Sequence, residues 1–370
     1  FSSGGFTLRS SAVLFVLGFL VCRQLLFHLF KEEGKPLKEV SALYLYMVLV
    51  ALIGARLGHL LFHEPASLLS KVLTIIFPFE LKPEFHLLGS TEFSAEGATL
   101  ALMLFLWLYR RRRASFQSYF FIADRVGVVA CLAGFFLLIS SFLNSEPKGK
   151  VTQSALGTVF VSPIQKGLMK VPCCIMRSPD GANPLENVAV RKDPVRHKLP
   201  EGQQSVILYL FFTPGISEQI VNEFLLGDVK SFLFDMSAFV HEPGDEPLHF
   251  RIFLERNGNY IARIQTEAIA RFPIQVFEAT ACFILFVFLW FNRKKFARHP
   301  GRLFSFFMIF FWTCHFALGF LRDTQALVDM VLSIVFVQIG VVVVLLSARK
   351  SREQKRGSSS VTEDLFLKKD

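Results

Sequence analysis

Apolar runs separated by short charged breaks dominate the chain. Seven stand out, at residues 11–30, 43–62, 97–109, 119–143, 275–291, 303–321 and 327–347. A helix needs about 20 residues to cross the hydrocarbon core of a bilayer. The third run is short by itself and reaches that length only if its helix begins near Thr91. A further apolar patch, KVLTIIFPF at 71–79, is too short to span and contains Pro78, so it reads as re-entrant or interfacial.

The pattern changes between residues 145 and 272. This stretch is polar, carries most of the prolines and holds no run of spanning length. SVILYLFFT at 205–213, PLHFRIFLE at 247–255 and NYIARIQTE at 259–267 read as strands, the last by its alternation. ISEQIVNEFLLGDVKSFLF, between the first two, has helical spacing with Gly227 as a weak point. RNGN supplies a hairpin turn between the last two. Residues 177–204 show no periodicity. The expected fold is therefore an α-helical polytopic membrane protein with seven transmembrane helices and an inserted small α+β domain of β-α-β-β order. Residues 1–144 and 273–348 form the membrane body, 145–272 the insert, and 349–370 a tail expected to be disordered.

Composition agrees: 52% of the 370 residues are hydrophobic, and the mean hydropathy is +0.45. The formal charge of +10 would suggest nucleic acid in a soluble protein. Here the basic residues cluster instead in KEEGKPLK after the first run, RRRR after the third, RKKFARHPGR after the fifth and RKSREQKR after the seventh. All four fall on one side when the segments alternate. The positive-inside rule makes that side cytoplasmic, with the N-terminus outside, the C-terminus inside and the insert extracytoplasmic. No nucleic-acid partner is expected. Of the six cysteines, Cys22, Cys131, Cys282 and Cys314 lie in apolar segments and read as small core residues. Cys173 and Cys174 are adjacent, which disfavours a bridge between them. No metal-ligand spacing and no cofactor motif is present, and no internal repeat is visible. The chain opens without methionine, so a few residues are expected before Phe1, and its first run does not read as a cleaved signal peptide.

Four polar interruptions carry the candidate chemistry. In SAEGATLALMLFLW, Glu96 stands at the mouth of an apolar run, where an unpaired carboxylate is costly. GARLGHLLF, 54–62, places Gly54, Arg56 and Gly58 inside a span. The glycines suit close helix packing; a buried arginine suits a phosphate. AGFFLLISSFLNSEPKG ends a helix with Asn144 and Glu146, then breaks at Pro147. ARFPIQVFEA opens the next helix with Pro273, Gln275 and Glu278, a pattern that alone fits an ordinary helix start.

Taken together, these motifs resemble the bacterial prolipoprotein diacylglyceryl transferases. FTLRS…LGFL resembles that family's first segment, GARLGHLLF its GARLGY-LF, and DRVGVVACLAGFF…F-NSE--GK its pattern around an arginine-glycine-asparagine signature. R-P-Q--EA matches RHPSQLYEA, and FALGFLRD stands where the family has RFLVEFFRE. The resemblance covers nearly the whole membrane body and informs less about the insert. It implies transfer of a diacylglyceryl group from phosphatidylglycerol to a lipobox cysteine thiol, without a cofactor or metal, in the bacterial inner membrane with the large loop in the periplasm. The implied partners are phosphatidylglycerol, a lipoprotein or prolipoprotein, and subunits of a membrane complex. The implied lipid- or phosphate-binding residues are Arg56, Asn144, Glu146, Gly149, Arg271, Gln275, Glu278 and Arg322, with Gly54, Gly58 and Gly97 as structural glycines.

The departures are equally specific. Glu96 stands where the family has a histidine, and the family arginine falls at Leu138. The glycine and asparagine after it fall at Ser140 and Ser141, and a second essential arginine at His315. A family glutamate falls at Gly319 and a first-helix tyrosine at Ser11, while Phe272 and Phe277 replace a histidine and a tyrosine. Charge building on a glycerol-phosphate leaving group would be stabilised by arginines; losing one such donor costs roughly 2–4 kcal/mol of transition-state stabilisation. Leu138 cannot replace it, and His315 can do so only when protonated. The favoured expectation is a degenerate relative that keeps the fold, binds phospholipid or lipoprotein or serves in an envelope assembly, and does not catalyse. The alternatives are an active transferase using Glu96 as base and His315 with Arg56 on the phosphate, and, more remotely, a transporter or channel.

Overall fold

The computed structural model describes residues 2–3, 6–7, 10–34, 37–67, 79–80, 86–87, 93–112, 118–173, 183–193, 202–243, 246–296, 299–323 and 326–367. Residues 71–78 of the apolar patch, and Cys174, lie outside them. The chain forms two compact units. One comprises Phe1–Asn144, Gln275–Phe320 and Thr324–Asp370; the other comprises Ser145–Ile274 and Leu321–Asp323.

The first unit is helical: α1 Ser10–Lys31, α2 Leu37–Phe62, α3 Ala95–Arg112, α4 Tyr119–Leu143, and three helices towards the C-terminus. It also holds two minimal strand pairs, β1 Ser2–Ser3 with β2 Phe6–Thr7 and β3 Phe79–Glu80 with β4 His86–Leu87. Among the described residues, six helices are long and apolar enough to cross a membrane. This makes the chain a polytopic helical membrane protein. Helix α3 is not among the six: it carries Glu96 and, in its last turn, Arg110, Arg111 and Arg112. It also begins at Ala95 and not near Thr91. Ser94 ends it by capping, its Oγ accepting the Gly97 N–H at 3.1 Å.

Close approach fixes α2 on α3. A Cβ on Gly97 would lie 2.3 Å from the Gly54 carbonyl oxygen, and one on Gly58 would lie 2.5 Å from the Gly97 Cα. Only glycine at these positions lets the backbones meet, the small-residue packing that the spacing of GARLGH predicts. A second brace joins α4 to the helix that begins at Arg302. Asp124, fully buried, accepts the N–H groups of Gly301 and Phe304, both at 2.8 Å. It thereby satisfies donors that a helix start leaves without partners.

The second unit is built on antiparallel strands: β5 Thr158–Val159, β6 Leu185–Lys192, β7 Gln203–Phe212, β8 Val240–His241, β9 Phe250–Leu254 and β10 Tyr260–Arg271. The strand order is β5-β10-β7-β6, with β8 and β9 also pairing β10. Alternation sorts the faces. Leu208, Leu210 and Phe212 of β7 and Ala262 and Ile264 of β10 are buried in one core. Helices α5 Ser162–Leu168, α6 Glu218–Phe224 and α7 Lys230–Asp235 supply Ile164, Val221 and Leu233 to it. The expected strands and helix are present. At Gly227 the helix widens into a π turn, Leu225–Val229. The expected β-α-β-β order was incomplete: β6 lies within the stretch that lacks periodicity. Its alternation is interrupted by an irregularity in register between Leu185 and Asn187, which hides a strand from a period-two reading.

Residues Leu321–Asp323 join this unit by backbone pairing. Lys150 N–H donates to the Leu321 carbonyl at 2.8 Å, and Asp323 N–H to the Lys148 carbonyl at 3.1 Å. The C-terminal helices are α8 Ile274–Phe296, α9 Arg302–Gly319 and α10 Leu327–Leu367. The last continues through the tail that composition marked as disordered. Once a helix is nucleated, each added residue of good propensity extends it at little cost, and SREQKR continues α10 in this way.

Candidate functional site

In the helical unit, three titratable side chains from three helices converge. His315 of α9 places Nε2 3.1 Å from Glu96 Oε1 of α3 and Nδ1 3.2 Å from Glu278 Oε1 of α8. Ser94 donates to the other Glu96 oxygen at 2.8 Å. All three are buried, with relative exposures of 3% for Glu96 and 8% for Glu278 and His315. Phe311 stacks on the imidazole at 5.9 Å, and Trp312 meets it edge-on at 5.2 Å. The adjoining cavity, lined by Glu278, Cys282, Phe310, Phe311, Cys314 and His315, has a volume of about 10 Å³. That is room for no more than about one water.

Both ring nitrogens therefore face carboxylates. A neutral imidazole has one N–H and can donate to only one of them. Donation to both needs the imidazolium, and the cluster then carries one positive charge against two negative. Such an arrangement ties three helices together. It offers no free cationic edge at His315.

The other candidate residues divide between the two units. Arg56, at 1% exposure, is buried inside the helical unit and does not face outward, as its cost in lipid requires. Ser140 Oγ donates to the Ser11 carbonyl at 2.9 Å, so two of the departing positions tie α4 to α1. Ser141 is buried and Leu138 half-buried on the same helix. Asn144 ends α4, its N–H donating to the Ser140 carbonyl at 3.0 Å. Gln275 and Glu278 are buried on the first turns of α8.

In the sheet unit, Arg271 is held by structure. Its Nη1 donates to Asp323 Oδ2 at 2.7 Å and to the Gly149 carbonyl at 3.1 Å, and its Nε to the Ala238 carbonyl at 3.2 Å. Gly149 has no space for a side chain, since a Cβ would lie 2.0 Å from the Phe272 carbonyl oxygen. It also forms a backbone bridge with Arg322. Glu146 is buried and pairs with Lys148 at 3.4 Å. Between Asn144 and Glu146, Ser145 adopts a left-handed backbone with φ of 61°, a conformation costly for a residue with a Cβ.

Several polar contacts were not foreseen. Beside Asp124, the buried Arg125 pairs with Glu33 and lies over the Phe121 ring. His63 of the α2 end meets the buried Asp329 of α10 at 3.2 Å. No local sign of these is present in the sequence, because their partners are far away in the chain. Among the described residues, no group of three or more His, Cys, Asp and Glu side chains is placed to hold a metal ion.

A bundle of apolar helices with a buried carboxylate–imidazole–carboxylate cluster defines a polytopic membrane protein with a polar centre. The family model described as prolipoprotein diacylglyceryl transferase matches residues 1–346, and the chain belongs to that family. Individual relatives are similar over shorter stretches. The phosphatidylglycerol–prolipoprotein diacylglyceryl transferase of Tolumonas auensis is 30% identical over 147 residues, 40% of this chain and 53% of the relative. The protein of the same name from Bacteroides fragilis is 28% identical over 162 residues, 43% and 58% respectively. That from Chloroherpeton thalassium is 31% identical over 160 residues, 43% and 56%. The matches thus span about half the length of these curated relatives.

Proposed function

We propose that this chain keeps the fold of the diacylglyceryl transferases and has lost their chemistry, and that its membrane body serves as a binding scaffold for phospholipid or a lipoprotein segment. The observation that carries this reading is the engagement of both His315 nitrogens by Glu96 and Glu278, at 3.1 and 3.2 Å. The relatives' names specify phosphatidylglycerol and a prolipoprotein. Transfer between such substrates develops negative charge on a phosphate leaving group and needs a thiolate nucleophile. Both call for cationic surroundings. Here the residue at the second arginine position is neutralised by two carboxylates, and Leu138 stands at the first. A cavity of about 10 Å³ beside His315 leaves no room there for a headgroup.

The basic clusters support an orientation with the N-terminus outside, α3 as a seventh crossing, and the sheet unit in the periplasm of an inner-membrane protein. In that setting the sheet unit is suited to contact other subunits of an envelope assembly. The test is complementation of a conditional transferase deletion, with lipoprotein lipidation followed by gel shift. No rescue is expected. Rescue would overturn the reading and place Glu96 and His315 in catalytic roles.

A further inference from the structure

The sheet unit carries a polar groove independent of the membrane cluster. It has a volume of about 610 Å³ and is lined in part by Ser205, His249, Arg251, Arg263, Gln265 and Glu267. The core-forming residues of β10 are the even-numbered ones, such as Ala262 and Ile264. Arg263 and Gln265 therefore point to the opposite face. On that face the register places Arg263 of β10 directly across from Arg251 of β9.

Residues opposite each other in an antiparallel pair have Cβ atoms about 4.5–5.5 Å apart, and like charges there destabilise the sheet. Many sheets offset such a pair with a carboxylate. Here neither arginine has a hydrogen bond or ion pair among the described residues, and Glu267, the carboxylate of the same lining, is bonded to neither, whereas Ser205, Gln265 and Thr266 are engaged elsewhere. Ser205 and Gln265 both donate to Asp193, at 2.9 and 3.0 Å. Thr266 donates to Glu242 at 3.0 Å. Arg251 is exposed and Arg263 half-buried, so the two guanidinium groups open into the groove with their donors unused.

We propose that Arg251 and Arg263 form a binding site for a phosphate group, with His249 at its edge. One guanidinium fork satisfies the two oxygens of a carboxylate. Two forks from adjacent strands match the larger number of oxygens on a phosphate, whose charge also removes the repulsion between them. The groove accepts either a lipid headgroup or a free phosphate ester; the chemistry of recognition is the same.

The experiment uses the full chain in detergent. Equilibrium binding is measured with radiolabelled inorganic phosphate and, separately, with a water-soluble short-chain phosphatidylglycerol. Arg251→Gln and Arg263→Gln are each expected to weaken phosphate binding about tenfold or more, and the double variant to abolish it, leaving in the lipid arm only the weak binding of the membrane body. Arg256→Gln, on the hairpin turn, should change nothing. Loss in the phosphate arm assigns a soluble ligand, and loss in the short-chain lipid arm alone assigns a headgroup. A double variant that binds both probes like wild type overturns the site, as does wild type binding neither. Melting supplies a second readout: phosphate should raise the unfolding midpoint of wild type and not of the double variant. If the glutamine variants melt abnormally without phosphate, Arg251→Lys carries the test. It keeps the charge but drops the fork, and unchanged affinity there overturns the proposal. Because the comparison is between sheet variants of one membrane body, its outcome is separable from that of the transferase test.

Discussion

Gly97 and Glu96 are neighbours in the chain and belong to two different regimes. Gly97 lies in a seam with Gly54 and Gly58 where backbones touch, and any side chain would collide with main-chain atoms. Glu96 enters a polar cluster in which it and His315 stand where the family pattern has other residues, while Glu278 matches that pattern. The seam is held by sterics, which the fold cannot relax. The cluster is held by charge balance, which can be met in several ways. A chain can therefore exchange a cationic site for a carboxylate–imidazole–carboxylate lock without losing the bundle. On the proposed reading, erosion of chemistry and persistence of fold follow from this difference in tolerance.

The hardest way to break the seam is Gly97→Val. Overpacking a tight core usually costs about 1–3 kcal/mol and occasionally more. A clash with the Gly54 carbonyl should reach or exceed the upper end. The expected outcome is little monodisperse protein by size exclusion in detergent. Normal recovery and melting would show that α2 and α3 do not depend on that contact.

The cluster is expected to respond about as strongly. His315→Leu leaves two buried carboxylates without their shared partner, and breaking a buried ion pair from one side costs about 3–5 kcal/mol. Adding Glu96→Gln and Glu278→Gln should recover part of that loss, since neutral amides need no counter-charge. Thermal unfolding of the single and triple variants measures the difference. Equal destabilisation in both would mean that shape, not charge, makes the lock.

How far the sequence reveals these two regimes differs in the same way. The seam was legible: two glycines four apart in an apolar run already specify close packing. So were the apolar segments, the β7 and β10 strands and the hairpin at RNGN, because each is written in local periodicity. The cluster was legible only as separate residues. Glu96, Glu278 and His315 were each singled out, but nothing in the spacing of 96, 278 and 315 says that one imidazole would bridge both carboxylates. Asp124 was missed for the same reason, since its partners Gly301 and Phe304 are distant in sequence. Strand β6 was missed because an irregular register breaks its alternation.

Arg271 sharpens the comparison from the sheet unit, since it is a family-pattern residue whose hydrogen bonds are structural. Arg271→Ala strands the Gly149 and Ala238 carbonyls and breaks the pair with Asp323. A loss of about 2 kcal/mol is expected, and Asp323→Ala should cost less because its side chain is half exposed. Chemical unfolding of the two variants measures both. Equal effects would mean that the carbonyl contacts contribute nothing.

The smallest effect concerns Glu242. Burial pushes its carboxyl above the usual range, and the Thr266 hydroxyl opposes that shift only in part. A carboxyl whose folded pKa is raised costs stability above that pKa and costs nothing below the unfolded value. Glu242→Gln should therefore raise the melting midpoint at pH 7 and leave it unchanged near pH 4. A gain at both values would point to packing instead of ionisation.

The central claim is that the lock of Glu96, His315 and Glu278 excludes diacylglyceryl transfer. Its most direct measurement is a purified-protein assay with labelled phosphatidylglycerol and a lipobox peptide. The unmodified chain should retain lipid weakly and transfer no diacylglyceryl group to the cysteine thiol. Robust transfer by the unmodified chain, abolished by Glu96→Gln, would contradict the account and make the cluster an active site.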